Sequence, residues 1–287
     1  MQGILFRTLD TLLDKTVVLS YTRLGYALRQ GAWDSSDVDV DMTGKVCLVT
    51  GATSGLGLAT AEGLARLGAS VYMLARSEGK GRWAREGIVR RTGNGRVHLE
   101  YADLSSLASV REFWTRFLER EDRLDVLINN AGVLLSEREQ SADGLELSFA
   151  TNVLGPFLLT SLAIPLLEAG APSRIINVSS GGMYTLILDV EDLQFERKPV
   201  NGVTAYAQAK RSQVILTELW AEKLAGSGIT VNAMHPGWAD TPGVRTSIPR
   251  FHRLARSGLR TPEQGADTIV WLAVAGSVAR RTGPVSY

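Results

Sequence analysis

A three-layer α/β fold, a single domain built on a doubly wound parallel sheet, is what this chain predicts, on three observations. From Lys45 onward, short apolar runs alternate with helical patterns, the signature of parallel strands joined by helical crossovers. A glycine-spaced turn, Thr50-Gly51-Ala52-Thr53-Ser54-Gly55-Leu56-Gly57, joins the first such run to the apolar helix Leu58 to Leu67. And 287 residues, 45% hydrophobic and 21% charged, suffice to bury one large core.

The elements follow in order. Residues 4–30 carry Leu5, Leu9, Leu12, Leu13, Val17, Leu24 and Leu28 at helical spacing, interrupted by Arg7, Asp10, Asp14, Lys15 and Arg23. Those charges exclude a membrane-spanning helix, and no basic start precedes a long apolar run, as a secretory signal requires. The expectation is an accessory amphipathic helix that docks on the body of the protein or makes a peripheral membrane contact. Residues 33–41, with four Asp, two Ser and Trp33, read as a solvated linker. Strands are expected at residues 45–50, 70–75, 97–101, 125–129, 174–179 and 230–235, with helices between them.

Ligands of such sheets bind beyond the carboxyl ends of the strands. After the first strand, Gly51 permits a tight exit, Gly55 a close backbone approach, and Gly57 close packing of helix on strand. Unpaired N–H groups and the positive end of the helix dipole then surround an anion. After the second strand stands Arg76, where a carboxylate would mark NAD. An arginine suits a 2′-phosphate instead, so NADP is expected over NAD, the alternative being a solvated loop charge. Asp103-Leu104 follows the third strand as an adenine contact. Asn129-Asn130-Ala131-Gly132 follows the fourth, a polar turn whose small residues admit the cofactor riboses.

Tyr206 and Lys210, four residues apart on a helix, share one face. A tyrosine hydroxyl titrates at about 10 in water, so moving its proton at neutral pH requires stabilising the phenolate by roughly 4 kcal/mol. A neighbouring ammonium supplies much of that; the alternative is a half-buried surface pair. Cys47 is the single cysteine and falls in the first strand, which excludes an intrachain disulfide and makes it a small buried hydrophobe. His98, His235 and His252 have no ligand-spaced partners, so no metal is expected. A net charge of +1 implies no general attraction to nucleic acid. The compartment expected on this composition is cytoplasmic.

In this order, the glycine turn, Asn-Asn-Ala-Gly and Tyr-Ala-Gln-Ala-Lys resemble the compact branch of the short-chain dehydrogenase/reductase family, over roughly residues 43–285. The segment between Ser180 and Tyr206 is similar to that of retinol dehydrogenases. The runs Ser180 to Met183 and His235 to Arg245 resemble one dehydrogenase/reductase subgroup. The resemblance implies a Rossmann-like fold, a homo-oligomer, and hydride transfer between a nicotinamide cofactor and a carbonyl or alcohol on a lipophilic small molecule; the alternative is an NADP-binding regulatory or interaction protein with little turnover. It divides the chain at residue 42, with helix and acidic linker in 1–42 and the dinucleotide-binding catalytic domain in 43–287.

Carried over residue by residue, the resemblance implies that Ser180 rather than Ser179 bonds the substrate oxygen, and that Tyr206 is the general acid or base. Lys210 lowers the tyrosine pKa and bonds the nicotinamide ribose. Asn152, on a helix that Asp143 and Glu146 are expected to cap, belongs to a water-mediated proton path. Gly51, Thr53, Ser54, Gly55, Leu56, Gly57, Arg76, Asp103, Leu104, Asn130, Ala131 and Gly132 bind the cofactor, with Tyr206 and Lys210. Pro236-Gly237 turns the chain over the nicotinamide, and Ala239 and Thr241 hold its carboxamide. His235 and Asp240 are assigned to strand-end packing and loop solvation. Residues 242–260, with Arg245, Arg250, Arg253, Arg256 and Arg260 between apolar positions, are expected to form an amphipathic lid or a helix with a solvated basic face. The family continues the strand begun at Gly283 into a tail that closes the pocket or makes a subunit contact.

Overall fold

The structure, a computed structural model, describes residues 16–31, 33–197, 201–278 and 282–284. Leu5, Leu9, Leu12 and Leu13 of the expected N-terminal stripe lie outside the described residues. The strands are β1 (Val46–Thr50), β2 (Ser70–Ala75), β3 (Val97–Tyr101), β4 (Val126–Asn129), β5 (Ser173–Val178), β6 (Ile229–Met234) and β7 (Gly283–Pro284). They form a 7-stranded parallel sheet in the order β3-β2-β1-β4-β5-β6-β7. The first six match the expected limits to within one residue at each end. The strand order reverses between β1 and β4, which opens a crevice at their carboxyl ends.

Alternation along each strand feeds two cores. Cys47 and Val49 of β1, with Val71 and Met73 of β2, face one core, while Val46, Leu48, Tyr72 and Leu74 face the other. The first core is closed by α3 (Gly55–Arg66), α4 (Glu78–Thr92) and α10 (Pro262–Val274) through Ala61, Leu64, Ile88, Ile269 and Leu272. The second is closed by α5 (Leu107–Leu118), α6 (Leu147–Ala169) and α7 (Gly202–Lys223) through Phe113, Phe117, Leu159, Leu167 and Trp220. Cys47 is fully buried, and burial pushes its thiol pKa well up. The short helices α8 (Pro242–Ser247) and α9 (Pro249–Ala255) follow β6.

The N-terminal segment differs from the single helix expected. It is two helices, α1 (Val17–Tyr21) and α2 (Arg23–Gln30), broken at Thr22, whose backbone is extended (φ −92, ψ 167). The cause lies far along the chain. Arg260, only 4% exposed, donates to the carbonyls of Ser20 (2.7 Å) and Thr22 (3.4 Å), and the Trp238 N–H donates to the Tyr21 carbonyl (2.7 Å). Carbonyls that would continue a helix are thus engaged by the body of the protein. Arg260 is therefore no member of a solvated basic face. The linker is also tied down, since the Asp37 carboxylate accepts from Trp271 Nε1 at 2.9 Å.

Two capping expectations separate in the same way. Glu146 caps α6, its carboxylate accepting from the N–H groups of Ser148 (2.9 Å) and Phe149 (2.6 Å). Asp143 serves a different helix, accepting from the Leu107 N–H at the start of α5 (2.8 Å).

Candidate active site

The crevice between β1 and β4 is shaped by glycines that leave no room for side chains. Gly51 has φ +66, and a Cβ there would lie 2.9 Å from Ala131 Cα. A Cβ on Gly57 would lie 2.4 Å from both Asn130 Nδ2 and the Gly51 carbonyl oxygen. Gly55, with φ +54, rests against the Thr241 methyl group, 3.2 Å from its own missing Cβ. The loops after β1, β4 and β6 are thereby drawn together. Thr50, which the sequence reading left out of the site, knits two of them: its hydroxyl oxygen accepts from the N–H groups of Asn130 and Ala131, each at 2.9 Å, and donates to the Ile128 carbonyl. Asn130 returns a bond to the Thr50 carbonyl (2.9 Å).

At the start of α3, Ser54 is the N-cap but its side chain makes no capping bond, which leaves the first-turn N–H groups facing the crevice. Thr53 is half-buried beside it, and Leu56 turns its side chain to the core and Gly265, so only its backbone faces the loop. Arg76 is exposed at the end of β2, with no hydrogen bond or ion pair among the described residues. Beside it at the end of β3, the Asp103 carboxylate accepts from the N–H and hydroxyl of Ser105 (2.9 and 2.7 Å), an Asx turn that fixes the loop. Leu104 is 6% exposed and packs in the core, its carbonyl so close to Gly155 of α6 that a Cβ there would lie 2.2 Å from the oxygen.

Deeper in, α7 brings Tyr206 and Lys210 to the end of β5. The Lys210 ammonium stands 5.5 Å from the Tyr206 ring centroid. It donates to the Val178 carbonyl (2.7 Å) and to Gln213 Oε1 (3.0 Å). Burial lowers its pKa to about 7. Tyr206 keeps part of its surface open to the site, yet the protein packs round it closely enough that burial raises its phenol, partly offset by a hydrogen bond with the Ser180 side chain. Ser179 is engaged elsewhere, its hydroxyl donating to the Lys210 carbonyl at 2.9 Å. Ser180 caps a short turn, Gly181–Thr185.

Asn152 lies in a π-helical turn, Ala150–Leu154, inside α6. Its side chain is held at both ends by the backbone of Val133, with Oδ1 accepting at 2.8 Å and Nδ2 donating at 2.9 Å. A Cβ on Gly132 would lie 3.3 Å from Asn152 Oδ1 and 3.4 Å from Lys210 Nζ, so these three residues converge.

The loop after β6 is split between two tasks. Thr241 caps α8 and covers Gly55, while Ala239 is buried against the same wall. Pro236 and Gly237 serve the N-terminal segment: the Pro236 carbonyl accepts from Arg260 (3.2 Å), and a Cβ on Gly237 would lie 2.7 Å from the Tyr21 carbonyl oxygen. His235 stacks on Tyr21 at 4.7 Å, and burial with Arg260 nearby lowers its pKa to about 4. Asp240 pairs with Arg245 (2.7 Å) and meets His252 (3.0 Å) rather than solvent alone. Tyr21 also rests on Gly181, where a Cβ would lie 2.1 Å from its ring.

The short chain dehydrogenase family model matches residues 45–250. Dehydrogenase/reductase SDR family member 12 of Homo sapiens is 44% identical over 259 residues, 90% of this chain and 81% of the relative. Retinol dehydrogenase 13 of Homo sapiens is 40% identical over 252 residues, 84% and 75% of the two chains. Among solved structures, a short chain dehydrogenase from Escherichia coli CFT073 complexed with NADPH superposes with a TM-score of 0.71 at 25% identity, covering 87% of this chain and 98% of that one. Pseudomonas aeruginosa RhlG in its NADP active-site complex gives 0.69 at 26% identity, covering 86% and 95%.

These relatives overturn the cytoplasmic assignment. Several carry the name retinol dehydrogenase. One helix among the described residues, Leu147–Ala169, is long and apolar enough to cross a membrane by length and composition alone, and it is the core helix α6, packed on the sheet through Leu159 and Leu167.

Proposed function

This chain belongs to the short chain dehydrogenase family, an oxidoreductase of the CH–OH/C=O pair that uses a nicotinamide cofactor, and from that premise we propose an NADP-dependent enzyme interconverting a carbonyl and an alcohol on a lipophilic small molecule. The observation that carries the reading is the cluster of Ser180, Tyr206 and Lys210 at the carboxyl end of β5, beside the glycine crevice.

The residues of the crevice suit a dinucleotide phosphate. The uncapped first turn of α3 offers N–H donors, and Gly51 and Gly55 let the loops after β4 and β6 close on that turn, where a side chain would meet Ala131 or Thr241. Arg76 supplies a free guanidinium for a 2′-phosphate, with Asp103, Leu104, Asn130, Ala131 and Gly132 along the rest of the groove. When bound, the cofactor supplies or accepts the hydride. Ser180 donates a hydrogen bond to the substrate oxygen and stabilises charge as it develops there. Tyr206 Oη gives its proton to that oxygen in reduction and takes one back in oxidation. Because burial keeps the phenol protonated at neutral pH, the resting site is set for proton donation. Lys210 holds Tyr206 in place and, when charged, favours the phenolate left after donation.

The test is turnover on a panel of aldehydes, ketones, retinoids and steroids with NADPH and NADH. Tyr206→Phe is expected to lower kcat about a thousandfold while NADPH binding persists, and Arg76→Asp to move the preference from NADPH to NADH. Equal turnover with both cofactors in the unaltered protein, or tight NADPH binding without turnover on any substrate, overturns the reading. The exposed Leu24 and Leu28 of α2, 54% and 48% exposed and one turn apart, support a peripheral membrane contact. Liposome flotation of the intact chain against one starting at Thr43 checks it, equal behaviour removing the idea. The family resemblance supports a homo-oligomer, for which light scattering is the check.

A further inference from the structure

We propose that Gln213 is a positioning residue for the proton transfer, its side-chain amide fixing Lys210 and closing the space between that lysine and the main-chain carbonyl of Asn152. This rests on the reading of Tyr206 and Lys210 given above. Gln213 is 3% exposed, and its Oε1 accepts from Lys210 Nζ at 3.0 Å while its Nε2 donates to the Asn152 carbonyl at 2.8 Å. The amide has one orientation open to it. An ammonium only donates and a carbonyl only accepts, so Oε1 must face Lys210 and Nε2 must face Asn152. The π turn at Ala150–Leu154 loosens the carbonyl ladder of α6 at that point and turns the Asn152 carbonyl to a partner outside its own helix. The resemblance implies a water-mediated proton path at Asn152. Here the Gln213 side chain joins the Asn152 carbonyl directly to Lys210.

The energetic role follows from what surrounds the ammonium. Tyr206 faces it from α7, the Val178 carbonyl from β5, Gly132 from the loop after β4, and Asn152 from α6. Among the described residues no carboxylate pairs with Lys210 and no second cation opposes it; burial alone accounts for its lowered pKa. The neutral oxygens of Val178 and Gln213 are therefore the polar groups that favour the charged lysine. Removing one from a buried cation makes the cation harder to keep. Loss of Gln213 Oε1 is thus expected to carry the Lys210 pKa further below its already lowered value of about 7, and so to shrink the share of charged lysine that favours the phenolate during proton transfer. A cavity of about 10 Å³ between α6 and α7 is lined by Gln213, Asn177 and Thr160, room for one water. Truncating Gln213 would let water take its place, so the variant of choice is the near-isosteric Gln213→Met.

The experiment is a carbon-13 NMR pH titration of the protein labelled at its lysine side chains, each form measured against its own Lys210→Met counterpart so that only Lys210 is read. Gln213→Met is expected to move that titration downward by about one pH unit. Gln213→Glu, which keeps an oxygen against the ammonium, should not move it downward. A Gln213→Met protein whose Lys210 titrates unchanged while only its thermal midpoint falls overturns the proposal, as does an equal downward displacement in Gln213→Glu. The lysine titration needs neither cofactor nor substrate, so its outcome is distinct from failure of the NADP-dependent activity.

Discussion

At Gly57 a single methyl group decides whether helix and strand can meet. Its Cβ would lie 2.4 Å from the Gly51 carbonyl oxygen and from Asn130 Nδ2, with backbone on one side and a hydrogen-bonded amide on the other. Gly57→Ala is expected to cost about 2 kcal/mol in denaturant unfolding and to weaken NADPH binding in a fluorescence titration. Gly95→Ala, where nothing lies within 4 Å of the added atom, should change neither. The crowding at Gly57 was legible because strand, turn and helix are contiguous in sequence. The partners of Arg260 were not: Ser20 lies 240 positions away, and arginines at 245, 250, 253 and 256 invite the reading of one basic face. Gln213 was no more legible, because its bond to the Asn152 carbonyl joins positions 61 apart.

Among the elements, the short helices before β1 depend on the strand end they cover. Tyr21 lies flat on His235 at 4.7 Å, and Arg260 holds the carbonyls on either side of it. His235 titrates at about 4 when folded, against 6.5 as an ordinary histidine. As pH falls, the unfolded imidazole takes up its proton first, so unfolding gains through that window and stability is lost between 6.5 and about 4; above 6.5 the group contributes nothing. Urea denaturation at about pH 7 and about pH 5 should show a loss of roughly 2 kcal/mol that disappears in His235→Phe, which keeps the stacked ring without its titration. Strand limits were readable from apolar runs, whereas the break at Thr22 was not, because its cause is tertiary: the carbonyls around it are taken by residues at 238 and 260.

In the molecule as a whole, the two ends of the sheet divide labour. The amino ends of β1 and β4 are tied by the buried Asp125, which accepts from Lys45 (2.9 Å), Arg123 (2.6 Å) and the Val46 N–H (2.9 Å). Burial alone would raise its carboxyl, but Arg123, the Val46 N–H and Lys45 together hold it below the usual range. Asp125→Ala is expected to cost about 2 kcal/mol, less than a fully buried pair because Lys45 and Arg123 remain 37% and 38% exposed. Thermal unfolding with and without NADPH should show that loss while cofactor affinity stays unchanged, since the site lies at the opposite end. The parallel sheet itself was legible in the alternation of apolar runs; what covers its carboxyl ends was not, because no periodicity encodes a contact between Tyr21 and Gly181. That contact has a genetic corollary. A bulkier residue at 181 must expel the aromatic ring at 21, so Gly181→Ala and Tyr21→Ala are mutually suppressing, the double variant retaining more stability than the sum of the single losses allows. Two positions 160 apart in the chain therefore drift only in concert, and either one read alone in a relative would misreport what the other tolerates.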